Sequence, residues 1–289
     1  MFKGLKYCLL ALLFIIIIIF FVARSAFLAN NDFINLLGRV LGREKKAAPL
    51  VLKEEKNLRI IEGWRNADIL NLLVKNNLAT DASFSEAQKN YDLSKFSFLA
   101  SKPKNTDLEG YLYPDTYRVY ASSTVTEIID KMLNNFDQKL TPQMCADIAS
   151  QGKTINEVIT MASIIEKEAP ISYATGDNQD AKIISGIFWN RIKSGQPLQS
   201  CATLAYVLGV DKAQYSAADT QIDSPYNTYR NQGLPPGPIA NPGILAIEAA
   251  IYPTPSHYNY FLTPSGSSKI IYATTYEEHL KNKNKYLGK

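Results

Sequence analysis

Cysteine and histidine are scarce: 289 residues hold three of the one and two of the other. Three thiols exclude a disulfide-stapled scaffold. His257 and His279 stand far apart, with no HExxH or CxxC pattern, so a metal centre finds little support. There is no GxSxG elbow, no phosphate-cradling glycine loop and no internal repeat. The body also lacks a basic excess. Residues 61–276 carry 17 basic and 21 acidic side chains, and the formal net charge of +4 arises at the two ends. A mildly acidic body argues against nucleic acid as the ligand. Hydrophobic residues make up 46% of the chain and aromatic ones 11%, so it is neither disordered nor collagen-like and has material for a sizeable core.

Near the N-terminus the charge disappears altogether. Tyr7 to Ala23, between Lys6 and Arg24, holds no charged side chain and includes five consecutive isoleucines, Ile15 to Ile19. As a helix it spans about 26 Å, close to a bilayer's hydrocarbon core of about 30 Å. A cleaved signal peptide is the rival reading. The run exceeds a usual signal core, however, and Arg24 follows Ala23 where small residues belong. We expect an uncleaved single-pass anchor, with Lys3 and Lys6 cytoplasmic and the body outside. Cys8 has no lipobox around it.

Four segments follow from composition and pattern: residues 1–24 as stub and transmembrane helix, 25–56 as a basic tether, 57–90 as a small βαα module and 91–289 as the main body. In the module, Leu58–Ile61 reads as a strand, Asn66 as the cap of a helix, and Ser83-x-x-Glu86 as a second capping box. In the body, Thr124-x-x-Glu127, Thr141-Pro142 and Thr154-x-x-Glu157 start three helices. A fourth spans 178–194 and ends at Gly195, and a fifth begins at Asn241-Pro242 and runs to about Tyr252. Residues 258–262 and 269–273 read as a hairpin. Helices and strands mix without a βαβ rhythm, which predicts an α+β fold.

The third helix is apolar nearly all round through Ile155, Val158, Ile159, Met161, Ala162, Ile164 and Ile165, as in a buried helix. Yet its last turn reads Glu166-Lys167-Glu168. At 100° per residue Glu166 stacks on Ala162 and Ile159, whereas Glu168, about 160° away, covers Ile164, Ile165 and Met161. Both carboxyls border hydrocarbon at the negative end of a helix dipole, which disfavours ionisation. A carboxylic acid kept protonated is what a glycosidic oxygen needs as proton donor. The bland alternative is that both glutamates pair with Lys or Arg, or sit in water. Cys145 and Cys201 could bridge outside the cell; a pair of buried free thiols is the simpler reading. Seventeen tyrosines and the loops 224–229 and 233–237 suit sugar rings, which stack on aromatics and need amide partners.

Six stretches occur in order: Glu109-Gly110-Tyr111-Leu112-Tyr113-Pro114-Asp115-Thr116-Tyr117, Ala162-Ser163-Ile164-Ile165-Glu166-Lys167-Glu168, Asn190-Arg191, Leu198-Gln199, Tyr226-Asn227-Thr228-Tyr229 and Gly233-Leu234-Pro235-Pro236-Gly237-Pro238-Ile239. Together, across residues 57 to about 285, they resemble the endolytic murein transglycosylase (YceG-like) family of bacterial inner-membrane proteins. The resemblance implies a membrane-anchored lyase that cuts between N-acetylmuramic acid and N-acetylglucosamine inside nascent peptidoglycan strands and leaves 1,6-anhydromuramic ends. It implies no cofactor and no metal, glycan strands and the membrane as partners, peptidoglycan synthases as further partners, and no nucleic acid. It also makes 57–90 part of a LysM-like module and Glu168 the acid/base, supported by Glu166. Asn227, Tyr229, Gln199, Glu109 and Asp115 are second-tier candidates for holding the glycan.

One departure stands out. The family often carries Asp-Pro after Leu-Gln, where this chain reads Ser200-Cys201-Ala202-Thr203. A histidine frequent in the last strand is also replaced near Lys269-Ile270. Two other functions therefore stay open: a non-catalytic peptidoglycan-binding scaffold, and a hydrolytic muramidase with Glu109 or Asp115 as the second carboxylate.

Overall fold

Two antiparallel strand pairs and a set of helices make up the computed structural model, which describes residues 54–212, 214–264 and 269–288. The 7–23 segment and most of the tether lie outside the described residues. Within them no helix is long and apolar enough to cross a membrane. In chain order the elements are β1 (Glu55–Arg59), α1 (Asn66–Lys75), α2 (Asp81–Lys89), β2 (Thr116–Tyr120), α3 (Val125–Lys139), α4 (Pro142–Ser150), α5 (Ile155–Glu168), α6 (Gln179–Lys193), α7 (Cys201–Leu208), α8 (Ile244–Ile251), β3 (Tyr260–Leu262), β4 (Ile271–Ala273) and α9 (Tyr276–Leu287). The α+β expectation agrees with this content.

Helix α5 is the core's axis. Eight successive residues, Val158 to Ile165, are buried. Each fully buried aliphatic side chain among them contributes about 1.5–3 kcal/mol. The Thr154–Glu157 capping box starts the helix: Glu157 N donates to Thr154 Oγ1 (3.2 Å) and Thr154 N to Glu157 Oε2 (2.7 Å). Its last residue is Glu168, before Ala169-Pro170. The apolar helix α8 packs along α5, and α6 and α7 pack on it as well. Buried Ser163 serves the loop that precedes α8, accepting from Ile239 N (3.0 Å) while donating to Thr160 O (2.7 Å).

The βαα piece is closed by a strand from farther along. β1 pairs antiparallel with β2, Leu58 opposite Tyr117, so the order is β-α-α-β with residues 90–115 inserted before the return strand. Leu58, Ile69, Leu73 and Phe84 belong to the same core as Ile128, Phe136 and Ile159. Packing therefore runs unbroken across residue 90, and residues 53–289 form one compact unit.

Buried Asn241 ties the two halves. Its Oδ1 accepts from Gly110 N and Leu112 N, both at 2.9 Å, and its Nδ2 donates to Trp64 O (3.0 Å). Gly110 has φ +89°, and a Cβ there would lie 2.4 Å from Pro238, so both backbone freedom and a bare Cα are needed.

Several local expectations shift. β1 begins at Glu55, three residues before the apolar run. The cap of α2 is Thr80, with Ser83 as its N3 partner. Asn66 is the first residue of α1 and does not cap it: its side-chain oxygen accepts from Asn241 Nδ2 (3.2 Å) and its backbone N–H donates to Glu109 (3.0 Å). α8 starts at Ile244, since Asn241 is already committed to the 110–112 turn. The helices capped by Thr124, Thr141 and Thr154 agree with the sequence reading, and the hairpin narrows to three residues a side.

Candidate active site

Glu168 leaves the end of α5 and enters a cleft of about 730 Å³. One carboxylate oxygen is fixed: Oε1 accepts from Ser200 Oγ (2.5 Å) and from Ala202 N (3.2 Å), a first-turn amide of α7. Oε2 accepts no hydrogen bond among the described residues, and no ion pair forms to Glu168 there. The carboxyl is thus oriented by two donors, with one oxygen left for a ligand. Buried Ser200 is itself pinned, its N–H donating to Thr228 Oγ1 (3.1 Å) and its carbonyl accepting from Thr203 Oγ1 (2.8 Å). Because its hydroxyl serves Glu168, it does not cap α7 in the usual way.

Gln199 precedes it with φ +51°, a left-handed backbone outside glycine, and its N–H donates to Thr228 O (3.0 Å). Such conformations cost about 1–3 kcal/mol and gather at ligand sites. Gln199 is exposed on the cleft wall. Tyr229 lines the same wall, its hydroxyl 3.1 Å from Cys201 Sγ. Burial first, then Cys201, pushes this phenol well above its ordinary pKa. Arg191 lines the cleft too, donating to Leu198 O (2.6 Å) and Asn259 O (2.9 Å) with its guanidinium over the Tyr260 ring. Its pKa is lowered by burial. Tyr260, Tyr276 and His279 also line the cleft.

Glu166 faces elsewhere. Its Oε2 accepts from Tyr173 OH (2.5 Å) and from Gly243 N (3.0 Å), the cap residue of α8. Burial raises its pKa against the pull of those two bonds. It shares no hydrogen-bond partner with Glu168, so the expected support is a clamp of α5 onto α8 rather than a network around the acid.

The remaining candidates separate from the cleft. Asn227 is fully buried, its Nδ2 donating to Thr220 O (3.1 Å) and Ile222 O (2.8 Å) and its Oδ1 accepting from Tyr229 N (3.0 Å). It shapes the loop that presents Tyr229 and offers nothing to a sugar. Buried Glu109 accepts from Asn66 N (3.0 Å) and Asn241 Nδ2 (3.2 Å), and burial pushes its pKa up to about 8. Exposed Asp115 holds Asn135 Nδ2 (2.9 Å). None of these three lines the cleft. Ser200 and Tyr260 escaped the sequence reading, although Ser200 lies in the segment flagged as a departure. Cys145 is half-buried and Cys201 exposed, and no disulfide joins the two. Among the described residues no cluster of three His, Cys, Asp or Glu side chains is placed to hold a metal ion.

With this geometry stand the likenesses to known proteins. The model of the YceG-like family matches residues 39–285. A protein of Streptococcus pneumoniae serotype 2 named endolytic murein transglycosylase is 41% identical over 180 residues, covering 61% of this chain and 31% of that protein. One of the same name from Bacillus subtilis is 38% identical over 181 residues, 63% of this chain and 48% of its own. The chain thus spans about a third to a half of the curated relatives' length. A crystal structure of a yceG-like protein from Listeria monocytogenes superposes with a TM-score of 0.67 at 32% identity, over 86% of this chain and 80% of that one.

Proposed function

The chain belongs to the YceG-like family, and from that premise we propose that it is an endolytic peptidoglycan lytic transglycosylase with Glu168 as its single acid/base. The observation that carries the reading is that Glu168 is the only carboxylate among the described residues lining the cleft. A glycoside hydrolase ordinarily needs two, one as acid and one as nucleophile or base. A muramyl sugar whose own C6 hydroxyl attacks needs one, because that nucleophile is already held beside the reacting carbon. Glu168 gives its proton to O4 of the departing N-acetylglucosamine as the C1–O4 bond breaks. The C6 oxygen then bonds to C1, and its proton returns to the carboxylate, which restores the acid and leaves a 1,6-anhydro end. Ser200 Oγ and Ala202 N hold the carboxyl's orientation through both transfers, and Tyr229, Tyr260 and Gln199 offer rings and an amide to the strand.

Residues 7–23 anchor the protein in the cell membrane, with the N-terminus cytoplasmic and the body on the side where glycan strands are made. The β1-α1-α2-β2 unit is the LysM-like element, fused to the catalytic body through a shared core. Peptidoglycan synthases are the natural neighbours of an enzyme that terminates nascent strands. The hydrolytic reading loses support, since Glu109 and Asp115 lie off the cleft. The test is Glu168→Gln, which keeps the shape and removes the proton. Cleavage of uncrosslinked glycan should fall about a thousandfold with the circular dichroism and melting curve unchanged. Cleavage within a few fold of wild type would end the proposal.

A further inference from the structure

The cleft carries charge that bond breaking does not use. Against Glu168 its described lining sets Arg191, Lys212 and Lys283. Two of these cations are engaged, Arg191 with the Leu198 and Asn259 carbonyls and Lys212 with Asp219 at 2.8 Å. Lys283, half-buried one turn beyond His279 on α9, forms no ion pair among the described residues. Beside it lies an aromatic surface. His279 stacks on Tyr260 with centroids 5.2 Å apart and planes 24° from parallel, and Tyr276 packs against both rings at 5.8 and 6.5 Å. His279 Nδ1 is buried without a hydrogen-bond partner. Burial first, then Lys283 and Arg191, holds that imidazole below its ordinary pKa.

An apolar ring surface edged by a lysine matches one of the two alternating sugars better than the other. N-acetylglucosamine is neutral, whereas a muramyl residue carries a carboxylate on its 3-O arm. That acid is the lactyl group of a bare strand or belongs to an attached stem peptide. We infer that the α9 wall, Lys283 beside the Tyr260–His279–Tyr276 rings, is the specificity element that recognises the side-arm carboxylate of a muramyl residue and so sets the strand's register across Glu168. This rests on the glycan-cleaving reading above. A neutral sugar at the wall leaves Lys283 unpaired, and a strand slipped by one residue binds more weakly.

The test uses the full chain in detergent, with Glu168→Gln to prevent turnover. Its affinity is measured with and without Lys283→Gln for three probes: uncrosslinked strands bearing stem peptides, strands stripped of peptide by an amidase, and chitin oligosaccharides. The expected result is a loss of roughly fivefold for at least one acid-bearing probe, none for chitin oligosaccharides, and recovery with Lys283→Arg. Loss with the peptide-bearing strand alone names the stem peptide as the source of the acid, loss with the stripped strand alone names the lactyl carboxylate, and loss with both shows that the wall takes either acid. Equal loss on all three, or none on any, overturns the inference and leaves the enzymatic reading standing. Binding of none of the probes by the Glu168→Gln protein overturns both.

Discussion

Glu166 and Glu168 stand two residues apart on one helix and meet different surroundings. Glu168 is held on one oxygen by Ser200 and Ala202 and opens to the cleft with the other, whereas Glu166 is spent on Tyr173 and Gly243. Truncating each should therefore have a different effect. Glu166→Ala leaves the Gly243 amide and the Tyr173 hydroxyl unpaired, which should cost about 1–3 kcal/mol of stability, read as a lower melting temperature, while turnover per folded molecule changes little. Ser200→Ala removes one of two bonds that orient the acid. We expect kcat to fall about tenfold with KM nearly unchanged, measured on uncrosslinked strands; a change confined to KM would place Ser200 in binding instead. Buried Glu109 supplies a pH signature. Its pKa of about 8 lies above that of an unfolded glutamate, so the native state binds the extra proton between about 4.5 and 8. Stability should decline as pH rises through that window and level off above it. Glu109→Gln keeps an acceptor for Asn66 N, and its melting temperature should be flatter over the same range.

At the scale of elements, the helices were legible where a cap and an apolar stripe coincide. Thr154-x-x-Glu157 before Val158–Ile165 announced α5, and Thr124-x-x-Glu127 announced α3. α7 was not legible, because its start at Ser200 lacks the capping bond while that hydroxyl serves Glu168. α9 carries a Thr275-x-x-Glu278 start, with Glu278 N donating to Thr275 Oγ1 (3.1 Å), but it has no buried stripe to betray it. Site residues fared similarly. Glu168, Gln199 and Tyr229 converge on one cleft, whereas Asn227, Glu109 and Asp115 have polar atoms that look available in sequence and are taken in the fold. Sequence spacing marks which residues carry chemistry; it does not say which backbone groups will claim them first. Element contact also makes a glycine decisive. Gly110→Ala places a Cβ against Pro238 at a positive φ and should destabilise by about 1–3 kcal/mol or more, checked by urea unfolding.

Over the whole molecule, strand pairing and a shared core make the β-α-α-β unit and the cleft-bearing body one unit. The charge-free run at 7–23 belongs to this scale too: the full chain should stay with the membrane pellet after alkaline carbonate washing, and deleting 7–23 should release it. A reaction that uses one carboxylate and the sugar's own hydroxyl leaves its mark in the origin of the oxygen at the new chain ends. Wild-type protein should digest uncrosslinked glycan in heavy-oxygen water to 1,6-anhydromuramic ends that carry no solvent label, as mass spectrometry would read them. Reducing ends bearing one heavy oxygen each would contradict the account, because water would then have done what the sugar's own hydroxyl is assigned here.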